Sequence, residues 1–278
     1  MFKNVILALD GSPYAHTVLD YGKYLSEQFH SFLNLMHVID IRMYEWTVSV
    51  GMDGFSTVMP SASFQEESQS LLETRAKEIM EKASNYCKEI QIEYKEILEH
   101  GSPVELISDR CRLTDLLVLG VRGEYAKWSK KFLGMVTEAV SRECSKPMLF
   151  VQNQFKPFKK ILLAYDGSEH ASHALSYAAF VGEKLQIPIV IVSSHHDRAI
   201  AIELMKEAGT YLQPYKVLIE EVIKAGHPDK DIIEVQHEKE CDLIIMGAYG
   251  HSRIREALIG SVTIQVLRNS EVPILLVK

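Results

Sequence analysis

The sequence predicts an α/β protein made of two tandem doubly wound domains, each with a five-stranded parallel sheet. Three observations predict it. The chain is written twice, its strand candidates are short unbroken apolar runs, and each run is followed by a segment with helical spacing. A repeat decides architecture before any local reading does. An apolar run too short for a helix reads as a strand buried on both faces, and such strands belong to parallel sheets covered by helices on either side.

The duplication is explicit. KNVILALDGSPYAHTVLDYGKYL from Lys3 returns as KKILLAYDGSEHASHALSYAAFV from Lys159, so Asp10, Gly11 and Ser12 map onto Asp166, Gly167 and Ser168. HGSPVEL at His100 returns as AGHPDKD at Ala225, TDLLVLGVRG as CDLIIMGAYG, and KPMLFV as VPILLV. The matches keep their order, which gives domains at 1–152 and 153–278 with the join in Gln152 to Phe158. Within the first half, VILAL is strand one and a helix follows from about Pro13 to His30. FLNLMHV is strand two, and EESQSLLETRAKEIMEKASNYCKEI is a helix by spacing and propensity. IEYKEILEHG alternates as a strand, PVELISDRC opens a helix with proline in its first turn, and DLLVLG is a buried strand. A last helix follows Gly134, and PMLFV closes the half. In the second half the strands are expected near Ile161, Ile189, Val217, Leu243 and Ile274. One difference is large: the first half carries Asp40 to Phe64 where the second has only HHDR. A loop this long is functional or disordered; Tyr44, Trp46, Phe55 and Phe64 favour a lid or packing on the other half.

Composition excludes several classes. A formal charge of −7 argues against nucleic acid or an anionic membrane as the main partner, and Lys127, Lys130 and Lys131 read as a solvated basic cluster. No apolar run approaches the roughly 18 residues of a membrane span. The first residues read as a strand rather than a signal peptide, which makes the cytoplasm the expected location. Cys87, Cys111, Cys144 and Cys241 show no CxxC spacing, so neither metal nor disulfide use is expected. His195, His196 and Asp197 lack further ligands at metal spacing, and His170 and His173 read as exposed helix residues. His251 follows Gly250 and is a minor candidate for a phosphate contact. Ser12 and Ser168 have no elbow or base that would mark a nucleophile.

The chemistry gathers at one place. Ligands of open α/β sheets bind outside the strand carboxyl ends, where the strand order reverses. Asp166 ends strand one and Gly247 ends strand four, so the two meet there if those strands are neighbours. Gly247 and Gly250 admit close backbone approach. Gly260 and Ser261 begin a helix whose N–H groups and dipole favour an anion by roughly 0.3–1 kcal/mol when exposed. Ser261 and Thr263 add hydroxyls. A polyphosphate fits this arrangement; so does a plain turn with Ser261 as the helix N-cap.

GAYG, nine residues, then GSVT resembles the ATP-binding signature of the universal stress protein family, and the Asp-Gly-Ser after strand one and the final-strand motif resemble it too. The resemblance runs over the whole chain in duplicate, so the protein is similar to a tandem member. It implies a Rossmann-like sheet of order 3-2-1-4-5. It implies Asp166 and the Ser194 backbone on the ribose and adenine side, with Gly247, Gly250, Gly260, Ser261, Val262 and Thr263 around the ribose and phosphates. The first-half equivalents are Asp10, Val38, Gly120, Gly123, Gly134, Met135 and Val136. That half departs twice: ten residues separate Gly123 from Gly134, and Met135 replaces the serine, removing a phosphate donor. The expectation is ATP, with or without Mg²⁺, held mainly in the second half of a stress-signalling module. A slow ATPase or a nucleotide-free scaffold is the alternative; no P-loop, activating base or arginine is legible for turnover. The resemblance also implies that the last strands of the halves pair within the chain as a pseudo-dimer, and a further homodimer is expected.

Overall fold

A computed structural model of the protein describes residues 1–40, 62–123, 133–248 and 260–278. The first half runs β1 (Asn4–Ala8), α1 (Tyr14–Phe29), β2 (Phe32–Asp40), α2 (Ala62–Glu89), β3 (Tyr94–Gly101), α3 (Pro103–Cys111), β4 (Leu116–Gly120), α4 (Met135–Glu143) and β5 (Met148–Val151). The second runs β6 (Ile161–Ala164), α5 (Glu169–Leu185), β7 (Ile189–Ser194), α6 (Arg198–Leu212), β8 (Ile219–Lys224), α7 (Pro228–Glu238), β9 (Leu243–Gly247), α8 (Ser261–Asn269) and β10 (Ile274–Val277).

Within each half the strand order is 3-2-1-4-5 and every pairing is parallel. β1 lies between β2 and β4, and β6 between β7 and β9. The chain leaves β1 toward β2 on one side and leaves β4 toward β5 on the other, so the switch point falls between the carboxyl ends of β1 and β4, and likewise between those of β6 and β9. The apolar strands behave as expected of a doubly covered sheet: Val5, Ile6, Leu7, Leu116, Leu117 and Val118 are all buried.

The two sheets are one. β10 pairs antiparallel with β5 in the register Ile274 to Phe150, Leu275 to Leu149 and Leu276 to Met148. The result is a ten-stranded sheet, β3-β2-β1-β4-β5-β10-β9-β6-β7-β8. The pairing expected of the closing strands therefore occurs within the chain, and it removes two edges that would otherwise invite pairing.

Each face of the sheet carries one core that spans both halves. On the α1 and α5 side, Phe2 stacks on Tyr177 at 5.7 Å and meets Phe29 and Phe180 edge-on at 5.4 and 5.7 Å. The join is pinned there as well, with Phe155 and Phe158 packed on Tyr21 and the Tyr21 hydroxyl donating to the Lys156 carbonyl at 2.9 Å. The opposite core joins Met148, Phe150, Ile274 and Leu276 to residues of both outer helix layers.

Candidate functional site

The first half shows how the switch point is assembled. Asp10 follows β1 and its Oδ1 accepts from the Ser12 amide at 3.0 Å and the Ser12 hydroxyl at 2.5 Å. The Ser12 hydroxyl oxygen in turn accepts from the Tyr14 amide at the start of α1. A Cβ on Gly123 would stand 3.1 Å from Asp10 Oδ2, and one on Gly134 would stand 3.1 Å from the Gly123 amide nitrogen. Three separate segments thus converge: the end of β1, the end of β4 and the start of α4. Gly134 is the N-cap of α4 with extended backbone, and no side chain caps the helix among the described residues. Backbone N–H groups of a first turn left in this way are ready to meet an anion.

The second half repeats the plan. Asp166 Oδ1 accepts from the Ser168 amide at 3.0 Å, the turn being made possible by Gly167 at φ 76°. Gly247 ends β9 so close to α5 that a Cβ there would sit 2.7 Å from the His170 carbonyl carbon and 2.8 Å from the Ala171 nitrogen. Gly260 is the N-cap of α8, again without a side-chain cap. Ser261 is therefore the first helical residue and exposed, which corrects the reading of it as the N-cap. Val262 is half-buried beside it.

Thr263 does something different from what its position suggested. It is buried, and its hydroxyl donates to the Ala248 carbonyl at 2.9 Å. Thr137 does the same to Gly120 at 3.0 Å. Each threonine ties its helix to the end of the preceding strand, so its proton is engaged within the fold. Gly250 and His251, like Lys127, Lys130, Lys131 and the aromatic residues Tyr44, Trp46 and Phe55, lie outside the described residues; α2 begins at Ala62, within the stretch expected to be loop.

Two differences between the halves were not anticipated. The Ser194 hydroxyl donates to the Asp231 carboxylate, and Asp231 is buried in the first turn of α7. The matching positions are Val38 and Leu106, which pack against the apolar core. One half thus has a polar pair beside the end of its second strand and the other an apolar pair. The signal was present as an acid in HPDKD where SPVEL has leucine. His170 is the second difference. It is half-buried beside Gly247 rather than exposed, and burial lowers its pKa. Two other residues have local explanations: Ser168 caps α5 by accepting from Ala171, and Asp197 caps α6 by accepting from Ala199.

A doubly wound fold in duplicate, with a glycine-led helix start at the carboxyl end of the sheet, defines a tandem α/β architecture of Rossmann-like type. A profile of the universal stress protein family matches residues 1–152 and again residues 157–278. The chain belongs to the universal stress protein family. It is 31% identical over 283 aligned residues to universal stress protein Slr1230 of Synechocystis, covering 98% of this chain and 99% of that one. A shorter relative, universal stress protein MJ0531 of Methanocaldococcus jannaschii, is 33% identical over 46% of this chain and 86% of its own length. A universal stress protein from Archaeoglobus fulgidus shares the fold with a TM-score of 0.76 at 24% identity, covering 100% of this chain and 99% of that one. No helix among the described residues is long and apolar enough to cross a membrane.

Proposed function

We propose that the protein is an ATP-binding stress-response module whose main nucleotide site is in the second half, and whose conformation or partner choice follows nucleotide occupancy. Asp166 and the Ser194 backbone take the ribose and adenine side. Gly247, Gly250, Gly260, Ser261 and Val262 take the ribose and phosphates, with Thr263 holding α8 in place. The observation that carries the reading is the start of α8: a glycine N-cap, an exposed serine hydroxyl at the first helical position, and no side-chain cap among the described residues. An anion there meets free N–H groups and the positive end of the helix dipole.

The first half has the same backbone plan but offers the thioether of Met135, 83% exposed, where the second offers a hydroxyl. It binds ATP weakly or acts as the partner domain. Mg²⁺ would be brought with the phosphates rather than by a resident set of protein ligands. The four described cysteines are free and buried, which suits a reducing compartment such as the cytoplasm. Assembly of two chains into a homodimer is part of the proposal and is read from sedimentation mass.

The test is to purify the protein without added nucleotide, denature it, and identify and count what is released. About one ATP per chain supports a working second site beside a weakened first. Two per chain would show that Met135 is tolerated, and no release together with no ATP-dependent rise in melting temperature at millimolar ATP would leave the scaffold reading in its place.

A further inference from the structure

The candidate site of the second half has two ends of opposite character. Side chains alternate between the faces of a sheet along each strand. Val190 and Val192 of β7 pack in the core on the α7 and α8 side, and Ile189 and Ile191 in the core on the other. Ser194 has the parity of Val192, so its hydroxyl leaves the carboxyl end of β7 on the α7 side. Ala164, two residues before Asp166, and Val262, the second residue of α8, pack against that same core. α7 lies on β7 and beside α8. Both helices therefore begin along one rim of the sheet and bring their positive ends to it.

At α8 that end is open, because its first turn holds no acidic residue and no side-chain cap. At α7 it is answered within the chain, by Asp229 and Asp231 in the first turn. Asp231 is 9% exposed, and its carboxylate packs over Gly226, where a Cβ would stand 3.2 Å from Oδ1 and 3.3 Å from Oδ2. The Ser194 hydroxyl donates to Oδ2 and leaves Oδ1 for a second donor. A buried carboxylate is costly to leave short of donors. A ligand lying along this rim thus meets hydrogen-bond donors at one end and an acceptor at the other. The first half lacks the second end: Val38 and Leu106 stand where Ser194 and Asp231 do, and both pack against the apolar core.

We propose that Asp231 is the base-reading residue of the second site, accepting from the 6-amino group of adenine while Ser194 orients the carboxylate. The inference rests on the ATP reading given above and adds to it the residue that selects the base. A purine without the amine offers only a C–H at that position, so the contact discriminates against its deletion. The first half has no acceptor there and does not discriminate.

The experiment titrates the full-length protein by isothermal calorimetry with ATP, with GTP, and with purine riboside 5′-triphosphate, which lacks the amine. The parent is expected to bind ATP more tightly than the amine-free triphosphate by about 10-fold or more, as a hydrogen bond to a charged group allows. Ser194→Val combined with Asp231→Leu copies the first half and is expected to close that gap to about threefold or less. Asp231→Asn keeps the shape and one acceptor oxygen, and is expected to narrow the gap with the fold retained. A pair that only tied α7 to β7 would lower the urea midpoint and leave the ratio of the two affinities unchanged. An unchanged ratio in these variants, or equal binding of both triphosphates by the parent, overturns the assignment and leaves the nucleotide site standing. Tighter binding of GTP than of ATP overturns it too, because the carboxylate would then read the ring N–H and 2-amino group of guanine. No binding of any of the three at millimolar concentration overturns the ATP reading itself, and this inference with it.

Discussion

Exchanging the residues at the two helix starts tests the nucleotide reading most directly. Ser261→Met in the second half copies the first, and Met135→Ser in the first copies the second. Both side chains are exposed, Met135 by 83% and Ser261 at the first turn of α8. Neither fills the core, so stability should change by no more than about 0.5 kcal/mol and any change in affinity belongs to the site. A hydrogen bond to a charged group contributes about 1.5–3 kcal/mol, which is about a 10- to 150-fold loss of ATP affinity in Ser261→Met at ~1.4 kcal/mol per decade. Binding is weakened rather than abolished, because the backbone N–H groups of α8 and its dipole remain. Met135→Ser is expected to raise first-half affinity by less than the converse loss, since the extra residue between Gly123 and Gly134 is still there. Isothermal titration of the full-length variants with ATP, beside a urea melt of each, reads both quantities. If Ser261→Met binds as tightly as the parent with an unchanged urea midpoint, the serine does not contact phosphate and the asymmetry argument fails.

Three further outcomes follow from the packing. Gly247→Ala places a methyl group 2.7–2.8 Å from backbone atoms of His170 and Ala171; backbone cannot yield cheaply, so urea unfolding should show a loss of about 1–3 kcal/mol, and a neutral result would mean that β9 and α5 separate easily. Phe2→Ala removes a ring 3% exposed and shared by both halves. It should cost about 3–5 kcal/mol, and separate transitions for the two halves in calorimetry would show that Phe2 helps to couple them. Burial and the neighbouring Glu207 push Tyr165 up to about 12. A group whose folded pKa lies above its unfolded value contributes its full stability below about 10 and loses it as pH rises through about 10 to 12. Tyr165→Phe should flatten part of that alkaline decline in a urea series, and an identical pH slope in both proteins would refute the assignment.

The strands were readable because a parallel sheet covered on both faces tolerates few polar side chains, so Asn4–Ala8 and Leu243–Gly247 stand out as apolar runs. Helix starts with a chemical marker were readable too, as at Pro103, which occupies the first turn of α3. Residues whose role depends on a distant neighbour were not. Nothing in GSVT says whether Thr263 faces a ligand or the Ala248 carbonyl, because the rotamer is set by the approach of α8 to β9. His170 looked exposed from its helix periodicity, yet the glycine at the end of β9 brings that strand close enough to cover it. The Ser194–Asp231 hydrogen bond joins segments that only the β7–α7 packing brings together. Local pattern encodes what an element is; side-chain function here is written in contacts between elements.

The shared sheet gives these asymmetries their consequence. In a dimer of identical chains any change at one helix start appears at both, whereas two halves in one chain can diverge while keeping a common interface. The interface has stayed symmetric, with Leu149 opposite Leu275 at the centre of the β5–β10 ladder. The sites have not, as Met135 and Ser261 or Leu106 and Asp231 show. The two helices that begin at those sites remain linked: Glu138 of α4 lies between Arg142 of its own helix and Arg268 of α8, at 4.0 Å from the latter. Such a pair is worth little as an isolated surface ion pair, but it joins the two helices whose first turns face the candidate ligands. Under the proposed function, a nucleotide at the second site would have two physical connections to the first half, the β5–β10 ladder and the α4–α8 contact, and neither requires a second chain.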